Sequence, residues 1–134
     1  MANKGSQLSV GQSLEVDDYL VSPSGRYFAI LQRDGNFCVY RGNGPANQGD
    51  FVWGSVQAAG YKPRNGEYFV IMQDDGNFCQ YKGTPANQGG FVWGTVQVGG
   101  YRPKQGAYFA IMQDDGNFCV YEGGFKFGTI QNPV

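Results

Sequence analysis

The sequence predicts an all-β fold in which three similar units surround a pseudo-threefold axis. Composition is the first indication: the 134 residues include 22 Gly, 9 Tyr and 10 Phe, and charged residues make up only 16%. Aromatic-rich sequences punctuated by glycine favour short strands joined by tight turns. The second indication is an internal repeat of about 40 residues, and the third is a hairpin pattern within each copy.

Three copies of the repeat fill the chain. Residues 27–40 read YFAILQRDGNFCVY, residues 68–81 read YFVIMQDDGNFCQY, and residues 108–121 read YFAIMQDDGNFCVY. A second block, PANQGDFVWGSVQ and then PANQGGFVWGTVQ, follows the first two copies, whereas the shorter third copy continues GGFKFGTIQ. A unit of this size cannot bury an apolar face alone, so we expect three small sheets to pack around one axis. The segment 8–22 should supply the strands that precede the first copy.

Each copy contains the pattern of a β-hairpin, with Asp-Gly as the turn signal. If the loop has three residues and Gly35 is left-handed, Gln32 pairs with Asn36. Directly paired residues share a face, so Gln32, Asn36, Cys38 and Tyr40 should lie on one side of the sheet. A two-residue loop would place Gln32 on the opposite side. Because glycine recurs at this position, we expect the three-residue loop.

The repeated motif Q-x-D-G-N-F-C-x-Y combines two amides, a carboxylate and a phenol around a small residue. Sugar hydroxyls both donate and accept hydrogen bonds, and this set of groups can do both. An ionised Asp gives the stronger, charge-assisted bond. The pattern resembles the Q-x-D-x-N-x-V-x-Y signature of the bulb-type (monocot mannose-binding, B-type) lectins, and the resemblance extends over residues 8–131.

The resemblance implies one bulb-type lectin domain over residues 1–134, with repeat cores at about 27–57, 68–97 and 108–131. The implied fold is the all-β β-prism II, with three antiparallel four-stranded sheets. The implied function is recognition of mannose or mannose-containing glycans at up to three sites that need no metal or cofactor. In that family Asp and Asn hold the 2-hydroxyl of mannose, Gln the 3-hydroxyl and Tyr the 4-hydroxyl. Carried over by position, the sugar-binding residues are Gln32, Asp34, Asn36, Cys38 and Tyr40, then Gln73, Asp75, Asn77, Cys79 and Tyr81, and then Gln113, Asp115, Asn117, Cys119 and Tyr121.

The sequence departs from the family pattern in two places. Cys38, Cys79 and Cys119 stand where the family has the valine that packs on the apolar edge of the sugar, and cysteine as a small hydrophobe should keep that contact. The PANQG insertions should reshape the rim of two sites. Because the cysteines occupy equivalent repeat positions, we expect free thiols and no internal disulfide or zinc site.

Several residues have a structural interpretation beside the functional one. Trp53, Trp93 and Phe127 could stack on sugars, but one large aromatic residue per repeat is expected to fill the axis. The motif Asp residues could serve the turn alone. That interpretation leaves the recurring Gln, Asn and Tyr unexplained. The acidic pairs 74–75 and 114–115 are expected to be solvated turns, since Arg33 replaces the first acid in the first copy.

Composition also limits the other function classes. The chain has no histidine, the commonest general base and metal ligand, so we expect no enzyme. A net charge of −1 without basic runs argues against nucleic acid, and no apolar stretch suggests membrane insertion. The N-terminus lacks the apolar core of a signal peptide, so a cytoplasmic location is expected, with unconventional export left open.

Three hypotheses stay open beside the lectin interpretation. The chain could be a β-prism protein-interaction module, or a lectin-like antimicrobial or toxin protein. The tail, residues 125–134, is expected to form a final strand. In family members this strand is often exchanged between two subunits, so a homodimer is a further hypothesis.

Overall fold

The structure, a computed structural model, describes residues 2–130. Its strands form three antiparallel four-stranded sheets around a common core. The first sheet has the order β3 (Tyr19–Val21), β4 (Tyr27–Leu31), β5 (Phe37–Arg41) and β6 (Phe51–Gly54). The second sheet has the order β2 (Ser13–Glu15), β7 (Tyr68–Met72), β8 (Phe78–Thr84) and β9 (Asn87–Gly94). The third sheet has the order β1 (Gln7–Ser9), β10 (Phe109–Met112), β11 (Phe118–Glu122) and β12 (Gly124–Gly128).

The N-terminal segment is shared among all three sheets. Its strands β1, β2 and β3 are three residues long, and each pairs with the first strand of a different repeat. Each buries one leucine in the common core, namely Leu8, Leu14 or Leu20. The sequence predicted only that this segment precedes the first copy. The structure shows why it is divided: each repeat supplies three strands, and the fourth edge strand of every sheet comes from this segment.

The hairpin register agrees with the three-residue loop. Ile30 pairs with Cys38, and the backbone N–H of Gln32 donates to the carbonyl of Asn36 at 3.0 Å. The turn glycine is left-handed in every copy, with φ of 85° at Gly35 and similar values in the other two repeats. The predicted register and shared face are therefore confirmed.

Aromatic side chains from all three repeats fill the common core. The motif phenylalanines Phe37, Phe78 and Phe118 contact one another with ring centroids 5.1–5.3 Å apart. Trp93 and Phe127 are buried beside them, and Trp53 is half-buried against the same core. The core interpretation of these aromatic residues agrees with their burial. The three motif phenylalanines, however, make the mutual contact that we expected from the tryptophan positions.

Short helices follow the last strand of the first two sheets. α1 (Ser55–Ala59) follows β6 and α2 (Thr95–Gly99) follows β9, and a 3-10 helix occupies Pro45–Asn47. Both α-helices end at a left-handed glycine, a common helix terminator. The sequence predicted short strands and tight turns, and these single helical turns were not predicted. Within residues 2–130, no helix has the length and apolar character needed to cross a membrane.

The C-terminal strand pairs within its own chain. β12 lies beside β11 and completes the third sheet. The sequence predicted a final strand across residues 125–134, and the last four of these lie outside the described residues.

Candidate functional site

The motif side chains lie on the outer face of each sheet, away from the common core. On β5, Phe37 and Val39 belong to the core, whereas Cys38 and Tyr40 belong to a separate cluster on the outer face. This alternation follows from the pleat of a strand, which sends successive side chains to opposite faces. We refer to the motif sites of the first, second and third sheets as the first, second and third sites.

Glutamine and tyrosine form a hydrogen-bonded pair across the hairpin in every site. In the first site the hydroxyl of Tyr40 donates to Oε1 of Gln32 at 3.0 Å. In the second site the direction is reversed, and Nε2 of Gln73 donates to the hydroxyl of Tyr81 at 2.6 Å. The third site has the same direction as the second. The pair fixes an amide and a phenol side by side, ready to exchange hydrogen bonds with a ligand hydroxyl.

The motif aspartate is held by its own turn. Oδ1 of Asp34 accepts from the backbone N–H of Asn36 at 2.9 Å, and the other two sites contain the same bond at 2.9 and 3.0 Å. Among the described residues, no hydrogen bond uses Oδ2 of these three aspartates. Each carboxylate is therefore oriented by the backbone and keeps one oxygen that can accept from a ligand.

The motif asparagine is mostly buried and has a structural task. Oδ1 of Asn36 accepts from the N–H of Val56 at 2.9 Å, at the start of α1. Its Nδ2 donates to Oε1 of Gln57 at 3.2 Å. Asn77 makes the equivalent bonds to Val96 and Gln97. Sequence reasoning assigned these asparagines to sugar contact alone; in the structure each ties the turn to the end of the fourth strand and keeps one amide hydrogen for a ligand.

A hydroxyl residue after each fourth strand supports the turn from behind. Oγ of Ser55 accepts from the N–H of Phe37 at 2.9 Å, and Thr95 and Thr129 occupy the equivalent positions. The hydroxyl of Tyr61 donates to the carbonyl of Gly35 at 2.7 Å. Burial raises the pKa of Tyr61 above its usual range. The sequence signal for this support is the recurring G-[ST] after FVW and FKF.

Each turn is also covered by a tyrosine from another repeat. The ring of Tyr68 lies on Gly35, where an added Cβ would be 2.9 Å from its Cζ. Tyr108 lies on Gly76 and Tyr27 lies on Gly116 in the same way. These three tyrosines, called the capping tyrosines below, link the repeats in a closed cycle.

The three sites differ in the side chains that the N-terminal strand brings beside them. Tyr19 and Val21 border the first site, since they pair with Ile30 and Phe28. The same register positions hold Ser13 and Glu15 in the second sheet and Gln7 and Ser9 in the third. The first site is therefore the most apolar and enclosed of the three.

The motif cysteines are free, buried thiols at the floor of each site. Burial raises the pKa of Cys38 and Cys79 to about 12 and that of Cys119 to about 11. In sites two and three the thiol lies 3.4 Å from Oε1 of the motif glutamine. A thiol with so high a pKa stays protonated near neutral pH and acts as an apolar contact rather than a nucleophile.

These thiols predict a loss of stability in alkaline solution. The folded protein holds the thiol protons to a higher pH than the unfolded chain, whose thiols titrate near 9.0. The unfolded state is therefore favoured as pH rises, and we expect the free energy of unfolding to fall by roughly 1 kcal/mol between pH 8 and pH 9. Urea unfolding at both pH values measures this change. In the variant Cys38→Val/Cys79→Val/Cys119→Val, most of this fall in the free energy of unfolding should disappear. A variant with the same pH dependence as the wild type would contradict the explanation.

Three surface cavities of about 190–240 Å³ lie beside the first two sheets, with Arg33 on the wall of one and Phe91 on the wall of another. All three include Tyr68, and none is lined by a motif Gln, Asp, Asn, Cys or Tyr. Ligand sites are commonly the larger concave pockets, so volume alone would favour these cavities. We favour the motif sites, because the same set of oriented polar groups recurs there in each sheet. Among residues 2–130, no cluster of three or more His, Cys, Asp or Glu could hold a metal ion.

Solved structures similar to this chain include several lectins. A monocot mannose-binding lectin from Gastrodia elata has 25% sequence identity and a TM-score of 0.68, and the match covers 95% of this chain and 96% of that chain. The Japanese Marasmius oreades lectin has 26% identity and a TM-score of 0.65, over 96% and 91% of the two chains. The mannose-specific agglutinin of snowdrop (Galanthus nivalis) has 23% identity and a TM-score of 0.63, over 96% and 99%.

The chain has the bulb-type lectin fold. The predicted β-prism II architecture of three antiparallel four-stranded sheets is thereby confirmed. No family model matches the sequence, and no curated protein matches it. The structure and the repeated motif thus reveal the bulb-type lectin fold, although the overall sequence identity to these solved structures is only 23–26%.

One residue per site was missed by the sequence interpretation. Phe51 and Phe91 are each 49% exposed, and Phe125 is half-buried. They pair with the motif tyrosines Tyr40, Tyr81 and Tyr121, so they share the outer face with them. We call them the rim phenylalanines. In each sheet a core aromatic residue follows the rim phenylalanine two positions later, and simple alternation would put both on the same face. A β-bulge at each motif tyrosine instead places the two residues on opposite faces.

Proposed function

We propose that the protein is a carbohydrate-binding lectin, and that its three motif sites bind mannose or mannose-containing glycans without a metal ion. The observation that carries the proposal is the recurring set of an oriented carboxylate and a Gln–Tyr pair above a buried thiol. Two of the similar structures, from Gastrodia elata and snowdrop, are named as mannose-binding or mannose-specific lectins. Their likeness supports a binding protein rather than an enzyme.

Each group has a distinct role in this proposal. The free oxygen of Asp34 accepts from one sugar hydroxyl, and the remaining amide hydrogen of Asn36 donates to it. The Gln32–Tyr40 pair exchanges hydrogen bonds with the next hydroxyls along the pyranose. Cys38 lies beneath the ring carbons as an apolar floor. Because the turn is fixed before binding, little ordering of the protein opposes association.

Binding at one site is expected to be weak. A hydrogen bond that replaces bonds to water contributes only about 0.5–1.5 kcal/mol, so a site with a few such bonds binds in about the millimolar range. Three sites on one body allow a branched or densely displayed glycan to bind with much higher avidity. Multivalent mannose glycans are therefore the proposed partners.

The test replaces only the charge of the motif carboxylates. In Asp34→Asn/Asp75→Asn/Asp115→Asn, the amide oxygen can still accept from the turn N–H, while the charge-assisted bond to the sugar is lost. We expect the affinity for methyl α-mannoside, measured by NMR titration, to fall about ten-fold or more. The control is Asp74→Asn/Asp114→Asn, which alters the neighbouring acids of two of the same turns. A folded triple variant that binds as well as the wild type would refute the assignment.

Two further expectations stay proposals. Homodimerisation through the C-terminal strand would give a mass in solution that rises with protein concentration, and the constant mass of a single chain would contradict it. The cytoplasmic location stays a prediction, which imaging of the tagged full-length protein in its native cell would check.

A further inference from the structure

The rim phenylalanines end a row of three aromatic rings on the outer face of every sheet. In the first sheet, Phe28 stacks on Tyr40 with centroids 5.5 Å apart, and Phe51 meets the other side of Tyr40 edge-on at 5.9 Å. The corresponding distances are 5.6 and 5.9 Å in the second sheet and 5.4 and 5.8 Å in the third. The row therefore has the same geometry in all three repeats.

Exposure increases along this row. In the first sheet, Phe28 is fully buried, Tyr40 is half-buried and Phe51 is 49% exposed. Large apolar side chains gain free energy when they leave water, so a half-exposed phenylalanine forgoes part of that gain. Phe51 and Phe91 are two of only four large hydrophobic side chains exposed among residues 2–130. Both of them border a motif site.

The position of the rim ring does not depend on the loop that precedes it. The segments between the motif tyrosine and its rim phenylalanine are residues 41–50, 82–90 and 122–124, which differ in length and in sequence. All three nevertheless deliver a phenylalanine to the same place beside the tyrosine, with interplanar angles of 71–74°. The bulge at the tyrosine sets this placement in every sheet. Bulges beside binding sites commonly serve to aim a side chain.

Resting on the proposed function, we propose that each rim phenylalanine forms a second subsite that takes the apolar face of the sugar unit next to the one held by the motif. The motif supplies oriented polar groups for the hydroxyls of the first sugar. A glycan that continues past the motif tyrosine passes over the rim ring, whose exposed surface offers no hydrogen bonds and suits the C–H face of a pyranose. An apolar platform beside a few fixed polar groups is the usual composition of a ligand site. The rim rings therefore select glycan chains over single sugars.

The test compares a single sugar with short chains. Methyl α-mannoside and the α1–2, α1–3 and α1–6 mannobioses are titrated into the wild type and into Phe51→Ala/Phe91→Ala/Phe125→Ala. In the wild type at least one mannobiose should bind about ten-fold more tightly than methyl α-mannoside, since burying half a phenylalanine ring contributes about that factor. In the triple variant the ratio of the two dissociation constants should fall to about one.

Controls separate this subsite from folding and from the motif site. Val10→Ala removes another exposed apolar side chain, 38% exposed and on the turn between β1 and β2, and should leave the ratio as in the wild type. If the alanine triple variant loses its folded circular dichroism spectrum, the triple change to glutamine is titrated instead, since it keeps side-chain length at these exposed rim positions while replacing the apolar ring with a polar group. The same fall in the ratio is expected.

Three results would overturn the subsite. The first is a wild type in which no mannobiose binds more tightly than methyl α-mannoside. The second is a gain that survives in the triple variant. The third is an equal loss for the single sugar and the disaccharides, which would mean that the rim rings only support the motif tyrosines. A wild type that binds none of these mannosides would refute the proposed function as well.

Discussion

Replacing Gly76 with alanine is expected to lower the free energy of unfolding by about 3 kcal/mol. Two costs add at this position. Gly76 has φ of 89°, in the left-handed region that costs other L-residues roughly 1–2 kcal/mol. The new Cβ would also lie 2.7 Å from Cε1 and Cζ of Tyr108, too close for any packed carbon pair. The ring of Tyr108 is buried and its hydroxyl donates to the carbonyl of Lys104, so it cannot withdraw without losing packing and a hydrogen bond.

Gly11→Ala is the matched control for this variant. Gly11 has the same φ of 89°, but nothing lies within 4 Å of an added Cβ. It should therefore show only the backbone cost of roughly 1–2 kcal/mol. Urea unfolding followed by tryptophan fluorescence gives both values. Equal losses for the two variants would show that the contact of Tyr108 with the turn adds nothing to stability.

Gln80→Val is expected to lower the free energy of unfolding by about 2 kcal/mol. Gln80 is fully buried, and its Oε1 accepts from the indole N–H of Trp93 at 2.8 Å. Its Nε2 donates to the carbonyl of Gly35 at 2.7 Å, an oxygen that also accepts from Tyr61. Valine occupies the equivalent positions in the other repeats, so the shape is tolerated by the fold. The loss comes from the indole N–H, because a buried donor without an acceptor costs about 1–3 kcal/mol.

A double-mutant cycle with Trp93→Phe tests this explanation. The third repeat pairs Val120 with Phe127 at the corresponding positions, so the double variant copies a combination that the fold already contains. With phenylalanine at position 93 there is no indole donor, and Gln80→Val then removes an acceptor that has lost its partner. We expect Gln80→Val to be close to neutral in that background, with a coupling energy of about 1–2 kcal/mol. The same cost in both backgrounds would contradict the role of the indole bond.

The sequence was sufficient to predict the hairpins and the faces of their residues. Three repeats with Asp-Gly at the same position fix the turn, and the turn fixes which of Gln32, Asn36, Cys38 and Tyr40 share a side. These are local relations, set by the few residues of the turn itself. The site residues that lie on the hairpin could therefore be grouped from the repeat alone.

The features that could not be predicted depend on contacts distant in the chain. The bulge that exposes Phe51 is a property of strand pairing, not of the FVW sequence. The buried task of Asn36 depends on the backbone N–H of Val56, 20 residues later, in the first turn of α1. Gln80 stands where the other repeats have valine, and only the position of Trp93 explains a buried amide there. Alternation patterns contain no information on any of these three relations.

Because of the capping tyrosines, each repeat depends on another repeat for the packing of its turn. The tyrosine of the first repeat covers the turn of the third repeat, that of the second covers the turn of the first, and that of the third covers the turn of the second. No subset of the repeats can therefore make all of its native turn contacts. A nascent chain that has not yet produced its third copy leaves Tyr27 without its glycine and Leu8 without the strand β10 that covers it. Such an order of contacts delays native structure until the third copy has been synthesised, and pairings between residues so distant in sequence make folding slow. A single repeat cut from this protein would therefore be an unfolded peptide, and its sugar site would be lost with the other two units.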